Sequence, residues 1–86
     1  METVTITAAI NEKKKVEFYQ TMESLKILIK SYCNKIDAEI DQGNNLVIRI
    51  TFNSKEEMEQ NFSNAEFNIL KGSVRSLCEN VRININ

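Results

Sequence analysis

With 86 residues, the chain is long enough for one domain and lies near the lower size at which proteins fold without disulfides or metals. Its hydrophobic fraction of 42% is typical of a globular protein, and a net charge of −1 argues against nucleic-acid binding. We expect one cytoplasmic domain over residues 1–86, because the sequence shows neither a signal-peptide pattern nor the roughly eighteen consecutive apolar residues of a membrane span.

The first predicted element is a strand, since apolar residues alternate with threonine and alanine from Thr3 to Ile10. Asn11 is a suitable N-cap for the element that follows. The apolar period then changes to that of a helix, with one stripe formed by Phe18, Met22, Leu25, Ile29 and Tyr32. The pattern therefore predicts a strand followed by a long amphipathic helix.

Two further strands follow, joined by a turn at residues 43–45 (Gly-Asn-Asn). Their inward side chains are predicted to be Ile36, Ala38, Ile40, Leu46, Ile48, Ile50 and Phe52. A three-residue loop that keeps these residues on one face places Ile40 opposite Ile48. In the same register Glu39 lies opposite Arg49, which predicts a favourable charge pair across the strands.

The second half of the chain is predicted to form two consecutive helices and a last strand. Two capping boxes, at residues 54–57 (Ser-Lys-Glu-Glu) and 63–66 (Ser-Asn-Ala-Glu), mark the two helix starts. Gly72 lies inside the second helix, where glycine costs about 1 kcal/mol relative to alanine, and we interpret it as a point of close backbone packing. Alternation from Val81 to Ile85 then predicts the final strand.

These elements give the order β-α-β-β-α-β, with a short extra helix before the last long one. Right-handed crossovers favour a four-stranded antiparallel sheet in the strand order 4-1-3-2, with both long helices on one face. The predicted fold class is therefore α+β and ferredoxin-like.

The two cysteines, Cys33 and Cys78, each end a long predicted helix. We expect both helices to point the same way in this topology, which places both thiols at the same end of the domain as a potential redox pair. The alternative is a pair of unrelated buried thiols that behave as small hydrophobic groups. Neither cysteine belongs to a CxxC motif and the chain has no histidine, so we expect no metal site.

The segment that begins at Phe52-Asn53-Ser54 resembles a known protein family. A strand that ends near a short acidic helix, followed by a Ser-x-x-Glu-Phe helix start at residues 63–67, is similar to the antibiotic-biosynthesis-monooxygenase-like group of the dimeric α+β barrel superfamily. The resemblance extends over nearly the whole chain. It implies a homodimer in which two sheets pack face to face with the helices outside, which is a dimeric α+β barrel.

The resemblance also implies a function. The group includes cofactor-free monooxygenases of quinols and phenols and heme-degrading members, so the chain is expected to act without a cofactor on small aromatic or quinone-like compounds. Catalytic members tend to use a pocket histidine or tryptophan, and this sequence contains neither, so no catalytic residue is carried over. The alternative function is a non-catalytic dimer module that binds a small ligand or regulates another process.

The candidate ligand-binding residues lie on the predicted sheet face away from the helices. They are Thr5, Thr7, Glu39, Arg49, Arg82 and Asn84. Such a face predicts a polar pocket between two subunits, where the two arginines meet an anionic or phenolic ligand. Two simpler interpretations are a sheet face open to water and a polar dimer contact built on arginine–carboxylate pairs. Paired carboxylates for acid–base chemistry would have to come from Asp37, Glu39 and Asp41, which alternation places on this face.

Overall fold

The computed structural model describes residues 1–85 of the chain. The order β-α-β-β-α-α-β confirms the prediction, with two 3-10 turns, Glu12–Lys14 and Lys30–Tyr32, flanking the first long helix. The strands and helices are β1 (Glu2–Ile10), α1 (Lys15–Ile29), β2 (Lys35–Ile40), β3 (Asn45–Phe52), α2 (Lys55–Asn61), α3 (Ala65–Leu77) and β4 (Cys78–Ile85).

The four strands form one antiparallel sheet in the order β2-β3-β1-β4, as predicted. The central pair, β1 and β3, has the strictest alternation, because every second side chain of each strand is buried. The buried side chains of this strand pair therefore lie on one face, and α1 and α3 pack against that face. The result is a ferredoxin-like α+β fold with its helices on one side of the sheet.

The core lies between the sheet and the helices. Helix α1 contributes Phe18, Met22, Leu25 and Ile29, and α3 contributes Phe67, Leu70 and Val74. An aromatic cluster closes one end of this core, where the Phe52 ring lies 5.7 Å from that of Phe67 and 6.4 Å from that of Phe62. Aromatic pairs at these separations add stabilisation beyond the area that they bury.

Side-chain caps fix where the helical segments begin. Asn11 accepts a hydrogen bond from the Lys13 N–H, and Ser54 accepts one from the Glu57 N–H, so both predicted starts are confirmed. Helix α3 instead begins one residue later than predicted, because its N-cap is Asn64 and not Ser63. The Asn64 side chain accepts from the Phe67 N–H at 2.9 Å, and asparagine caps at least as well as serine.

The predicted register of the β2–β3 hairpin is wrong by two residues. Ile40 lies opposite Leu46, and Ile48 lies opposite Ala38. The loop begins one residue earlier than expected because Asp41 and Asn45 close it, and Asn44 has the left-handed φ of 62° that such three-residue loops require. A shift of two residues keeps every side chain on its predicted face, so the hydrophobic pattern alone does not distinguish the two registers.

The two long helices are antiparallel, which contradicts the expectation that they point the same way. Helix α1 connects the end of β1 to the start of β2, and α3, after the short α2, leads from β3 to the start of β4. Because β1 and β3 are antiparallel, α1 and α3 run in opposite directions. Cys78 consequently lies opposite Ile10, whereas Cys33 lies near the other end of β1, two residues before Lys35. Most of the length of β1, roughly 20 Å or more, therefore separates the two cysteines. An intramolecular redox pair is excluded by this distance.

Gly72 is not a point of close packing, which corrects the sequence interpretation. A Cβ atom at this position would meet nothing within 4 Å, and the residue is exposed on α3. It lines a shallow groove between α1 and α3, together with Thr21, Ser73 and Ser76. The glycine therefore carries its usual helix-propensity cost without relieving any contact in the described part of the chain.

Replacing this glycine by alanine is expected to stabilise the protein. Gly72→Ala should raise the free energy of unfolding by about 0.5–1 kcal/mol, because alanine restricts the unfolded chain and fits the helix without contact. Urea denaturation of both proteins measures the difference. Gly43→Ala is the matched comparison: it lies outside any helix, and its Cβ would approach the Asn45 amide nitrogen to 3.2 Å, so no such gain is expected. A loss of stability in Gly72→Ala would contradict the assignment.

Candidate functional site

The face of the sheet that carries no helix is called the outer face here. Its central strands present small and mostly uncharged side chains, whereas its two edge strands present the charged ones. The outward residues are Thr3, Thr5, Thr7 and Ala9 on β1, Val47, Arg49 and Thr51 on β3, Lys35, Asp37 and Glu39 on β2, and Glu79, Arg82 and Asn84 on β4. All six predicted site residues therefore lie on one surface.

The register arranges all six residues in two rows across the sheet, with Glu39 in the row of Thr7 through Val47. Thr5 lies between Arg49 of β3 and Asn84 of β4. Thr7 lies in the next row, with Arg82 as its partner on β4. The two arginines are separated by one row and by the width of β1, which places their Cα atoms on the order of 12 Å apart.

Arg49 is already engaged with a carboxylate. Its guanidinium donates to the Glu39 carboxylate at 2.8 Å, and both side chains are more than half exposed, at 52% and 70%. The predicted charge pair is therefore present, but it forms diagonally, since Glu39 lies opposite Val47 and Arg49 lies opposite Asp37. An exposed pair of this kind contributes at most about 1 kcal/mol, yet it neutralises the Arg49 charge locally.

Arg82 is in a different electrostatic situation. Within residues 1–85 no carboxylate oxygen lies within 4.0 Å of its guanidinium, although Glu79 is on the same strand. Arg82 borders a shallow open depression of about 580 Å³ in the outer face. The residues that line it are Thr7, Ala8, Ala9, Asn45, Leu46, Val47, Asn80 and Arg82. Two predicted site residues, Thr7 and Arg82, therefore belong to the depression, and the other four lie outside it.

The depression contains two amide side chains that the sequence analysis did not single out, Asn45 and Asn80. Asn80 has a φ of 55°, and the pairing of β1 with β4 changes register between Thr7 and Ala9 at this point. This is a β-bulge, a feature that bends a strand locally and redirects its side chains. The available sequence signal was the asparagine itself, since asparagine tolerates the left-handed region better than other non-glycine residues.

Asn45 belongs to the hairpin turn that Asp41 organises. The Asp41 carboxylate accepts hydrogen bonds from the backbone N–H of Asn45 at 2.9 Å, from the Asn45 side-chain amide at 3.2 Å and from the Gly43 N–H at 2.8 Å. These bonds, with a smaller contribution from the nearby charge of Lys15, lower the pKa of Asp41 below its usual value. Asp41 is thus a turn residue whose carboxylate is engaged by Gly43 and Asn45, and acid–base chemistry shared with Asp37 and Glu39 stays a prediction.

The cysteines do not form an activated site. Burial raises the pKa of the Cys33 thiol, and the nearby Glu57 carboxylate raises it further. Burial likewise raises the pKa of Cys78, with a smaller opposing effect from Lys14. A raised pKa lowers the thiolate population, which is the nucleophilic and metal-binding form. Among residues 1–85, no three His, Cys, Asp or Glu side chains lie close enough together to hold a metal ion.

Comparison with solved structures identifies a shared fold. A Deinococcus radiodurans protein named as a candidate antibiotic biosynthesis monooxygenase superposes with a TM-score of 0.83 at 11% identity, covering 100% of this chain and 90% of that one. A Nitrosomonas europaea protein with the same designation gives 0.81 at 10% identity, over 99% and 86%. A conserved Methanosarcina mazei protein gives 0.80 at 16% identity, over 99% and 89%.

The chain shares the fold of these three proteins, two of which are named as candidate antibiotic biosynthesis monooxygenases. The family resemblance drawn from residues 52–72 is therefore confirmed at the level of fold. Identities of 10–16% carry no information about which residues act, so the function is argued below from the outer face. No family model and no curated protein matches the sequence. The described residues include no helix that combines the length and the apolar character needed to cross a membrane.

Proposed function

We propose that this protein is a small-ligand-binding homodimer whose ligand, a small aromatic or quinone-like compound with anionic character, occupies the depression in the outer face. The observation that carries the proposal is Arg82, a guanidinium without a carboxylate partner in residues 1–85, at the rim of a depression of about 580 Å³. This volume falls within the range of roughly 300–1,000 Å³ that is usual for small-molecule sites. The open shape suggests that a second subunit completes the site.

The distribution of charge on the outer face supports association through that face. The central strands present threonine, alanine and valine with Arg49 as their charged residue, and the remaining charges lie on the edge strands β2 and β4. Protein interfaces have the same arrangement, with a centre depleted in charge and a polar rim. A chain of 86 residues also buries a smaller share of its surface than a larger domain, so association adds burial that the monomer lacks.

A charge placed at the centre of the outer face should prevent dimerisation. Thr5→Arg is expected to raise the dimer dissociation constant at least tenfold, because an additional unpaired cation would be desolvated beside Arg49. Light scattering after size exclusion, over a concentration series, measures the mass of each protein. Thr21→Arg on α1 is the matched control and should dimerise like the wild type. A wild-type protein that stays monomeric at all concentrations would contradict this part of the proposal.

The chemistry of the depression favours an aromatic anion. Arg82 supplies a planar cation that pairs with a carboxylate through two parallel N–H···O bonds, or donates to the single oxygen of a phenolate. Ala9 and Val47 supply apolar surface between the polar groups, against which a ring can lie. Ala8 and Leu46 also line the depression, although their side chains belong to the core. A guanidinium beside an apolar floor is the arrangement that holds a flat, singly charged molecule.

Removing the Arg82 charge should weaken ligand binding specifically. Arg82→Gln is expected to lower the affinity for aromatic carboxylates and phenolates about tenfold or more, because the charge-assisted hydrogen bonds are lost. Isothermal titration calorimetry with benzoate and substituted phenols measures the dissociation constants. Arg75→Gln, on the exposed side of α3, removes the same charge far from the depression and should leave these constants unchanged. Equal weakening by both substitutions would indicate a general charge effect and contradict the site.

Cofactor-free monooxygenation is the second candidate function, and the shared fold is the observation that favours it. In such a reaction the substrate supplies its own electrons: a phenol and O₂ give a para-quinone and water, with one oxygen atom entering the ring and the other leaving as water. The contribution of Arg82 would be to hold the substrate as its phenolate, the form that gives up electrons most readily. The chain has no histidine or tryptophan to take part, which ranks binding without turnover first.

Oxygen consumption distinguishes the two functions. With binding alone, purified protein incubated with quinols and phenols under air should consume oxygen no faster than the buffer blank. An oxygen electrode records the rate, and product analysis by mass spectrometry detects any quinone. Uptake that depends on the protein and falls at least tenfold in Arg82→Gln, but not in Arg75→Gln, would establish the monooxygenase function in place of the binding function.

A further inference from the structure

The hydrogen bonds of Asn45 determine which atom of its side-chain amide is an acceptor at the depression. Its side-chain nitrogen donates to the Asp41 carboxylate at 3.2 Å. An ionised carboxylate only accepts hydrogen bonds, so the amide nitrogen of Asn45 must be the atom that faces Asp41. The amide oxygen of Asn45 is therefore held on the opposite side of the group, where it can only accept. Of the residues that line the depression, Asn45 thus provides an acceptor oriented by Asp41, and Arg82 provides a cationic donor.

The register sets the separation between these two groups. Asn45 lies opposite Ala9, and Arg82 lies opposite Thr7, so the two residues are separated by the width of β1 and by one row of the outer face. Strand spacing and rise place their Cα atoms on the order of 12 Å apart. Side chains of a strand stand roughly perpendicular to the sheet, so the span between the two polar ends stays of this order. It matches the length of a six-membered ring with substituents at opposite positions plus one hydrogen bond of about 2.8 Å at each end.

We propose that the ligand of this depression is a single-ring aromatic compound with an anionic group at one end and a hydroxyl or amino group at the other. Arg82 binds the anionic group, and the hydroxyl or amino group donates a hydrogen bond to the Asn45 side-chain oxygen. This inference rests on the proposed function. Asn45 is thereby the residue that determines specificity. A ligand that presents only an acceptor at its far end would meet the Asn45 oxygen without a proton between them, and both groups would lose their hydrogen bonds to water.

Asp41 acts in this scheme as a positioning residue. It holds the Asn45 amide through its second carboxylate oxygen while its first oxygen keeps the turn closed through the backbone N–H groups of Gly43 and Asn45. Asp41→Asn retains an oxygen for the backbone bonds but presents an amide nitrogen to Asn45. The Asn45 amide must then reverse, with its oxygen toward residue 41 and its N–H groups toward the depression. The turn survives, and the acceptor at the site becomes a donor.

A comparison of ligands in the wild-type protein tests the inference without depending on a variant. Calorimetric titration with 4-hydroxybenzoate and with benzoate should give a dissociation constant about five to ten times lower for the hydroxylated compound, the usual worth of one net hydrogen bond. Asn45→Ala should remove this difference by weakening 4-hydroxybenzoate alone. Asn53→Ala, an exposed asparagine just beyond the other end of β3, is the matched control and should retain it. Asp41→Asn should also remove the preference while leaving benzoate affinity as in the wild type.

The outcomes separate the two proposals. Equal affinities of the wild-type protein for benzoate and 4-hydroxybenzoate would overturn the role of Asn45 and leave the Arg82 site standing. A preference that persists in Asn45→Ala and in Asp41→Asn would overturn it as well, because the hydroxyl would then be recognised elsewhere. If neither compound binds at millimolar concentration, the ligand-binding function fails, and the inference built on it fails with it.

Discussion

The alternation of the central β1–β3 pair is the constraint on which the other features of this protein depend. Val4, Ile6, Ile48 and Ile50 are fully buried on one face, and the helices pack only there. Since side chains of a strand alternate between the two faces, the same alternation places Thr5, Thr7, Val47 and Arg49 on the opposite face, which no helix or strand among residues 1–85 covers. The one-sided core and the outer face are therefore two consequences of the same pattern. Any function of the sheet must use the side chains of the outer face, because those of the other face are buried in the core.

The sequence predicted these global features because they repeat along the chain. Each strand contains three or four apolar positions that repeat the alternation, and the apolar stripe of α1 repeats over four turns. A single residue that departs from the pattern therefore does not change the predicted element. The helix caps at Asn11 and Ser54 were predictable for a similar reason, since each depends on a few adjacent residues. Asn64 was missed because two good capping residues are neighbours there, and the choice between Ser63 and Asn64 depends on how α3 docks on the core.

The site was predicted less completely, because the details that shape it do not repeat. The hairpin register depends on one left-handed residue, Asn44, and the bulge in β4 depends on another, Asn80. In both cases the outward side chains of the strand stay on the predicted face, while the residues opposite them on the neighbouring strand change. The sequence could therefore place Arg82 and Thr7 on the outer face. It could not place Asn45 and Asn80 beside them, because that juxtaposition is produced by two irregularities on different strands.

Those two irregularities lie at the same end of the sheet, on either side of β1, and the depression lies between them. This position explains why Arg82 rather than Arg49 is the better anchor for an anion. Arg49 lies one row away, in regular sheet, where the strand spacing brings the Glu39 carboxylate within 2.8 Å. On the other side of β1 the bulge interrupts the regular alternation of β4 between Glu79 and Arg82, and the neighbouring carboxylate does not reach the guanidinium. Arg82 is exposed, and its guanidinium, bordered by amides and by the small side chains of β1, is available to pair with an anion from outside. The bulge thus lies at the edge of the depression, which Asn80 and Arg82 both line.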